Sequence, residues 1–376
     1  MLFYLLFLKK KAVLLLEKNM KNKIGNMLCN PAWIASGALN FAGEGWRQHK
    51  AFKRAFGRRF TFDGTTFVSK TVTAFPQKGN MPLRPDNMPK KFLPDCIYVS
   101  PGSFLQGSML NAVGLSGPGI EKIMEQGKWR SFTEPFMISF MPVRPTPEER
   151  LEEVQFFVEK MLVGMQSGMF HAQFAIQLNL SCPNTAHGIE QFQGEVARWL
   201  DVLAALEYPV ALKLSVTTSP EVALELCKHR ACKGLCLSNT VPWGQLPYDE
   251  DTGLGIPWKK VFGTDVSPLA QYGGGGYSGK YLLPLVKDWV VRFRDLIRRE
   301  LFLDAGFHIN AGGGILQADD VLTLYMAGAD SVSLGCVAIL RPWRMKKIIR
   351  YAEQNEHHRL HHWREDGEDS SYTVYP

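Results

Sequence analysis

The chain of 376 residues is 45% apolar and 21% charged, which excludes a disordered tail, a coiled coil and a disulfide-stapled miniprotein and leaves one large globular domain or two ordinary ones. Its formal charge of +7 is uneven: residues 1–59 hold 12 Lys/Arg against Glu17 and Glu44, a net of +10, which leaves −3 for the rest. A basic start of this kind suits anionic lipid or nucleic acid, but a solvated leading segment and first helix account for it with fewer assumptions.

The first apolar run, Leu2 to Leu8, stops at Lys9-Lys10-Lys11, well short of the ~20 residues that cross a bilayer. The lysines follow the run instead of preceding it, so it is also a poor secretory leader. Neither nucleic acid nor membrane contact through residues 1–23 is therefore expected. Seven cysteines without a Cys-x-x-Cys pair argue against a disulfide framework and a zinc site, and a reducing, cytoplasmic setting is expected.

Eight short, nearly continuous apolar runs read as strands. In chain order they are Ala32–Ser36, Phe67–Val72, Phe136–Met141, Phe174–Leu180, Val210–Leu214, Gly234–Ser238, His308–Ala311 and Ser331–Gly335. Between them the spacing predicts helices over Pro147–Leu162, Ile189–Leu206, Pro220–His229, Lys280–Leu301 and Gln317–Met326, with a last one from Pro342 to about Asn355. Apolar strands alternating with amphipathic helices define an α/β protein with a parallel sheet, and eight such units close into a (β/α)₈ TIM barrel. The expected organisation is a basic and apolar extension (1–28), the barrel (29–356) and a polar tail (357–376).

Two stretches break the alternation. Ala74 to Gly107 carries six prolines and follows the second strand; Val241 to Gly276 is rich in Gly, Pro and aromatic residues and follows the sixth. Insertions on βα connections lie at the C-terminal face of a barrel, so both are expected to wall or cover a ligand site.

Glycines mark candidate anion sites. The run Gly273 to Lys280 contains G-x-G-x-x-G from Gly274 and nearly a P-loop, but Tyr281 stands where a P-loop needs Ser or Thr and no apolar strand leads into it, so what remains is backbone that can approach an anion closely. Gly312-Gly313-Gly314 closes the seventh strand and Gly335-Cys336 the eighth. Barrels commonly bind phosphate at these two loops, and a phosphorylated ligand is expected.

The densest chemistry ends the fourth strand, in Asn179-Leu180-Ser181-Cys182-Pro183-Asn184. Pro183 stops the strand, so Cys182 opens a loop above the barrel mouth, where a cysteine among polar residues is a candidate acid, base or nucleophile. Lys70 and Lys213 stand within apolar strand sequence, where a charge needs a partner. Asn111 and Asn239-Thr240 add polar side chains at the same rim.

With these residues in view the sequence resembles the dihydroorotate dehydrogenase family, FMN-dependent barrels of pyrimidine synthesis, from about Asn30 to Arg344. The resemblance rests on Ala35-Ser36-Gly37, Lys70-Thr71-Val72-Thr73 with Gly79-Asn80, Leu110 to Gly114, Asn179 to Thr185, Lys213, Asn239-Thr240, Gly275 to Gly279 and Gly312 to Ile315. It implies oxidation of dihydroorotate to orotate, with Cys182 as the base that takes the C5 proton while hydride leaves C6 for flavin N5. A cysteine before the proline makes the chain similar to the class 1 enzymes. The resemblance also implies that Asn111, Asn179, Asn184, Asn239 and Thr240 hold the substrate and that Lys70 lies between it and the flavin. Ala35, Ser36, Gly37, Lys213, Gly275, Gly276, Gly313, Gly314, Gly335 and Cys336 would hold FMN, with Lys213 near flavin N1.

Three features depart from the family pattern. Cys336 replaces a threonine common in the phosphate loop, Thr185-Ala186 is closer to class 2, and the 241–276 loop is long. Other readings are a related flavin barrel reducing uracil or a tRNA uridine, and a non-catalytic FMN scaffold in electron transfer. A homodimer and an electron-transfer partner subunit are both compatible with the family. The pairs His357-His358 and His361-His362 have i, i+4 spacing, but without a carboxylate beside them they read as a solvated helix end rather than a metal site.

Overall fold

A computed structural model describes residues 22–101, 107–180, 193–237, 239–299 and 306–356. The chain enters through a two-stranded hairpin, β1 (Lys23–Ile24) and β2 (Met27–Leu28), and continues into β3 (Ala32–Ile34). Helix α1 (Arg47–Phe56) leads to β4 (Thr65–Val68); the first insertion then supplies β5 (Ile97–Val99) and β6 (Met109–Asn111). After α2 (Ile120–Glu125) strands and helices alternate: β7 (Phe136–Phe140), α3 (Pro147–Gln166), β8 (Phe174–Asn179), α4 (Gln193–Leu203), β9 (Val210–Leu214), α5 (Pro220–Cys227) and β10 (Cys232–Leu237). The second insertion contributes β11 (Val241–Pro242), α6 (Trp258–Phe262) and β12 (Gly276–Ser278). Then follow α7 (Leu282–Arg299), β13 (His308–Gly312), α8 (Asp319–Met326), β14 (Ser331–Leu334), α9 (Cys336–Leu340) and α10 (Met345–Gln354).

Strands β3, β4, β7, β8, β9, β10, β13 and β14 pair in that cyclic order and close an eight-stranded barrel. All eight are the expected runs, with ends within two residues except that β4 stops at Val68, four residues before the expected Val72. The register is parallel throughout; Ile176 faces Val210, Leu235 faces Leu212, and Leu334 closes the ring against Ile34. Central strands of this kind are covered on both sides, which explains why their sequences are apolar without alternation.

The N-terminal hairpin forms the barrel floor. Ile24 and Met27 are fully buried with Trp33, Val68, Met137, Ala175, Ala211 and Cys236 in one cluster inside the strand ring. The folded body thus takes in residues from 22 onward, part of the stretch the sequence assigned to the extension. His308 Nδ1 donates to Lys23 O at 2.9 Å, and the His308 ring stacks on Trp33 with centroids 5.2 Å apart.

Helix starts follow local chemistry. Thr146 caps α3 by accepting from Glu149 N while Glu149 Oε2 returns to Thr146 N, a reciprocal capping pair, and Pro147 fills the first turn where no donor is needed. At α5 Ser219 Oγ likewise accepts from Val222 N, with Pro220 in the first turn but no return contact from Val222. Helix α1 is held differently. His49 is buried; its Nδ1 accepts from Trp46 N at 3.1 Å, so Nε2 carries the proton donated to Ala338 O at 2.9 Å. Burial lowers the His49 pKa to about 4, so the ring is neutral at pH 7 and ties α1 to α9.

The two insertions meet. Strands β11, β12, β6 and β5 make one antiparallel four-stranded sheet, with Asn111 opposite Gly276 and Ile97 opposite Asn111. An aromatic group from the second insertion packs with this sheet: Trp243 lies 4.7 Å from Trp258, and Trp258 meets fully buried Tyr277 edge-on at 5.6 Å. Each such pair adds roughly 0.5–1.5 kcal/mol beyond simple burial. The sheet therefore has a sequence-specific core of its own.

Candidate active site

One cavity opens where the C-terminal ends of the barrel strands meet the cover sheet. It is bordered by Ala35, Ser36 and Gly37 after β3, Lys70 and Thr71 after β4, Asn179 at the end of β8, and Lys213 on β9. Asn239 and Thr240 after β10, Gly312 to Ile315 after β13, and Gly335, Cys336 and Ile339 after β14 complete the barrel side. The cover sheet supplies Ile97, Met109, Asn111 and Ser278, followed by Gly279. Thirteen sequence candidates thus meet in one place: Ala35, Ser36, Gly37, Lys70, Asn111, Asn179, Lys213, Asn239, Thr240, Gly313, Gly314, Gly335 and Cys336.

Cys182 and Asn184 lie outside the described residues. Gly275 and Gly276 belong to the cover sheet: a Cβ on Gly275 would come within 3.0 Å of Asn111 O, and Gly276 pairs with Asn111 across the sheet. The residues that follow them, Ser278 and Gly279, border the cavity instead.

Lys70 is 8% exposed. Barrel strand β4 ends before it: Lys70 N turns aside to Asn40 O at 2.8 Å, while Val72 N rejoins Ser139 O at 2.8 Å. The ammonium donates to Ser116 O and lies 4.7 Å from the Phe41 ring centroid, so carbonyl and π-face contacts contribute to holding a charge that is nearly sealed from water. Lys213 stands in register between Asn179 and Cys236, which places a second cation on the opposite part of the strand ring.

Hydrogen bonds join the polar residues into a chain. Ser36 Oγ meets Thr71 Oγ1 at 3.2 Å, Asn179 Nδ2 donates to Thr71 Oγ1 at 3.3 Å, and Asn239 Nδ2 donates to Asn179 Oδ1 at 3.0 Å. Thr240 N then donates to Asn239 Oδ1 at 3.0 Å. Thr71 also meets Ser139 Oγ at 2.9 Å. The sequence reading overlooked Thr71 as a site residue, although it follows Lys70 directly in the Lys70-Thr71-Val72-Thr73 run; Ser139 had no sequence signal.

Another part of the cavity wall is made of glycine turns. Gly314 has φ +83, and a Cβ there would lie 2.6 Å from Leu283 N and 2.9 Å from Lys280 O. A side chain is excluded, and backbone at such a turn can meet an anion directly. Cys336 is half-buried beside the Ser278 hydroxyl, and desolvation pushes its thiol pKa up to about 12. It is thus a neutral wall group at pH 7. Apolar Trp46, Met81, Leu282 and Ile315 line the rest. Glycine turns, two lysines and an apolar wall fit a phosphorylated planar cofactor such as a flavin.

The closed parallel barrel and its polar mouth define a (β/α)₈ enzyme. The model of the family described as Dihydroorotate dehydrogenase matches residues 19–354, and the chain belongs to that oxidoreductase family. It is similar to the protein named Dihydroorotate dehydrogenase B (NAD(+)), catalytic subunit, of Listeria welshimeri, with 28% identity over 331 residues, 86% of this chain and 89% of the relative. The protein of the same name from Cutibacterium acnes is 27% identical over 337 residues, covering 88% and 90%. The solved structure of DHODH in complex with ferulenol from Eimeria tenella shares the fold, with a TM-score of 0.58, 15% identity, and coverage of 88% of this chain and 83% of that one. Among the described residues no helix is long and apolar enough to cross a membrane.

Proposed function

We propose that this chain oxidises dihydroorotate to orotate at the cavity above the barrel, with FMN bound across it. The observation that carries the reading is the convergence of Lys70, Lys213 and the Asn179–Asn239 pair on one cavity whose wall includes a glycine turn. Dihydroorotate is a cyclic ureide bearing a carboxylate, so it needs amides that both donate and accept, and a cation for its anionic end. Asn111, Asn179 and Asn239 supply the first, with Asn184 assigned to the same set, and Lys70 the second.

FMN, when bound, accepts the hydride from C6 of the substrate. Gly313, Gly314, Gly335 and the Cys336 backbone would hold its phosphate, Ala35 to Gly37 its ring edge, and Lys213 the side where negative charge collects on reduction. Gly275 and Gly276 would act through the cover sheet. Cys182 is assigned as the base for the C5 proton; as a thiolate it would be active above the ordinary thiol pKa of ~8.5. The relatives' names, which specify NAD(+) and a catalytic subunit, favour onward passage of electrons to a nicotinamide-linked partner protein. A cytoplasmic location fits that reading.

The reading is tested by purifying the full chain, identifying its chromophore, and adding dihydroorotate without oxygen. The flavin absorbance should bleach with dihydroorotate and much more slowly with dihydrouracil, which lacks the carboxylate. Equal bleaching by both, or by neither, would contradict the assignment; rapid reoxidation by uracil or tRNA alone would favour the related pyrimidine reductases.

A further inference from the structure

Arg341 is 3% exposed, and the Nε and Nη2 atoms of its guanidinium are buried without a hydrogen-bond partner. Guanidinium stays charged, so buried bare donors are costly unless an acceptor fills the space beside them. The two bare atoms form one edge of the group. Elsewhere in this chain that same edge is filled by a carboxylate: Arg150 donates from Nε to Glu195 Oε2 at 2.9 Å and from Nη2 to Glu195 Oε1 at 2.7 Å. The paired donors match two oxygens of a carboxylate or phosphate.

The charges around Arg341 sharpen the need. Burial, and after it the neighbouring Arg344 cation, draws the Arg341 pKa below the usual arginine value. Arg344 Nη1 is fixed on Leu316 O at 3.2 Å. Asp320 is the carboxylate in the vicinity, but its Oδ2 already accepts from Leu316 N at 2.8 Å and Gln317 N at 3.0 Å. Two guanidinium groups therefore share a corner with one carboxylate that is engaged in fixing the β13–α8 turn. Arg341 is not among the residues that line the ligand cavity, although Ile315 and Ile339 are; Arg341 N donates to Val337 O.

We propose that Arg341 and Arg344 form an oxyanion-binding site on the rim of the barrel, separate from the glycine turns assigned to the cofactor phosphate, and that it takes a phosphate or carboxylate group through the free Nε–Nη2 edge of Arg341. A single water could accept from both donors but brings no charge, whereas an oxyanion fills both donors and offsets the excess of two cations over the one Asp320 carboxylate.

The test uses the full protein as purified with its cofactor, so that the cofactor's own phosphate turns are filled. Thermal midpoint is followed against inorganic phosphate and, separately, against acetate, with ionic strength held constant by chloride. A saturable rise with one of them is expected, and which one identifies a phosphate ester or a carboxylate as the occupant. Arg341→Met should require at least ~10-fold more anion for the same rise, since charge-assisted hydrogen bonds are lost. Arg344→Met should weaken the response in the same direction, and the exposed Arg84→Met should leave it unchanged. Absence of a saturable rise, or an unaltered anion midpoint in Arg341→Met, would overturn the proposal. Should Arg341→Met fail to fold, an unaltered midpoint in Arg344→Met, whose side chain is exposed, would do so.

Discussion

Asn239 donates from Nδ2 to Oδ1 of Asn179 at 3.0 Å, spanning the end of the strand that carries Lys213. The contact fixes which face of each amide is left for a ligand: Asn179 turns its nitrogen toward Thr71, and Asn239 turns its oxygen toward Thr240 N. Each amide is thereby oriented before substrate arrives, which reduces the ordering that binding must impose.

Asn239→Ala removes the donor and leaves Asn179 Oδ1, on a side chain only 4% exposed, to find another partner. A loss of roughly 10-fold or more in kcat/KM for dihydroorotate is expected from the lost hydrogen bond that orients the Asn179 amide, with flavin content unchanged. Steady-state kinetics beside flavin absorbance checks it; a lost flavin with normal substrate affinity would contradict this role.

Gly314→Ala forces a Cβ into backbone atoms at 2.6 Å and a φ of +83 that alanine resists. The left-handed backbone alone costs about 1–2 kcal/mol, and the overlap displaces the turn assigned to phosphate. The variant should lose flavin on gel filtration while its far-ultraviolet circular dichroism is retained. Full flavin retention would remove this turn from the cofactor site.

His49 links acid sensitivity to the wall of the cavity. Its folded pKa of about 4 lies below the ordinary 6.5, so between those values the unfolded chain binds more protons and stability rises with pH. The contribution is fully present above pH 6.5 and falls away as pH drops toward 4, by up to about 3 kcal/mol. Urea unfolding at pH 5 and 7 should show this slope in the wild type and a flatter one in His49→Gln.

Arg150 and Glu195 form a nearly buried pair between the start of α3 and the start of α4, with side chains 7% and 12% exposed. Helix α4 begins directly after the 181–192 stretch that holds Cys182. Breaking a pair of this kind costs roughly 3–5 kcal/mol, so Glu195→Ala should lower the thermal midpoint and reduce the rate of flavin reduction together. A lowered midpoint with an unchanged rate would show that α4 does not position the catalytic loop.

The barrel was readable because each of its strands lies in a largely apolar run of four to seven residues, long enough to carry a pattern and bounded by turns. The cover sheet was not. Its strands are two or three residues long, and Asn111 finds Gly276 across 165 positions of sequence, so neither periodicity nor local turn chemistry announces the pairing. The insertions were recognisable as walls of the site, but not as one sheet. Helix α1 was not drawn because four of its ten residues are exposed cations and His49 is its one buried residue, too little buried surface to show a helical face. Lys70, Lys213 and the amides were legible because polar residues at apolar strand ends conflict with burial unless a site explains them. Thr71 and Ser139 escaped notice because a hydroxyl within a strand raises no such conflict.

The account depends most on Cys182 as the base opposite the flavin. Stopped-flow reduction by dihydroorotate, followed anaerobically from pH 6 to 10 in the wild type and Cys182→Ala, addresses it directly. The wild-type rate should climb with pH until a group near the ordinary thiol pKa of ~8.5 is deprotonated. The variant should be slower by ~100-fold or more and lack that inflection, while binding orotate normally. A variant that reduces its flavin as fast as the wild type, with the same pH profile, would contradict it.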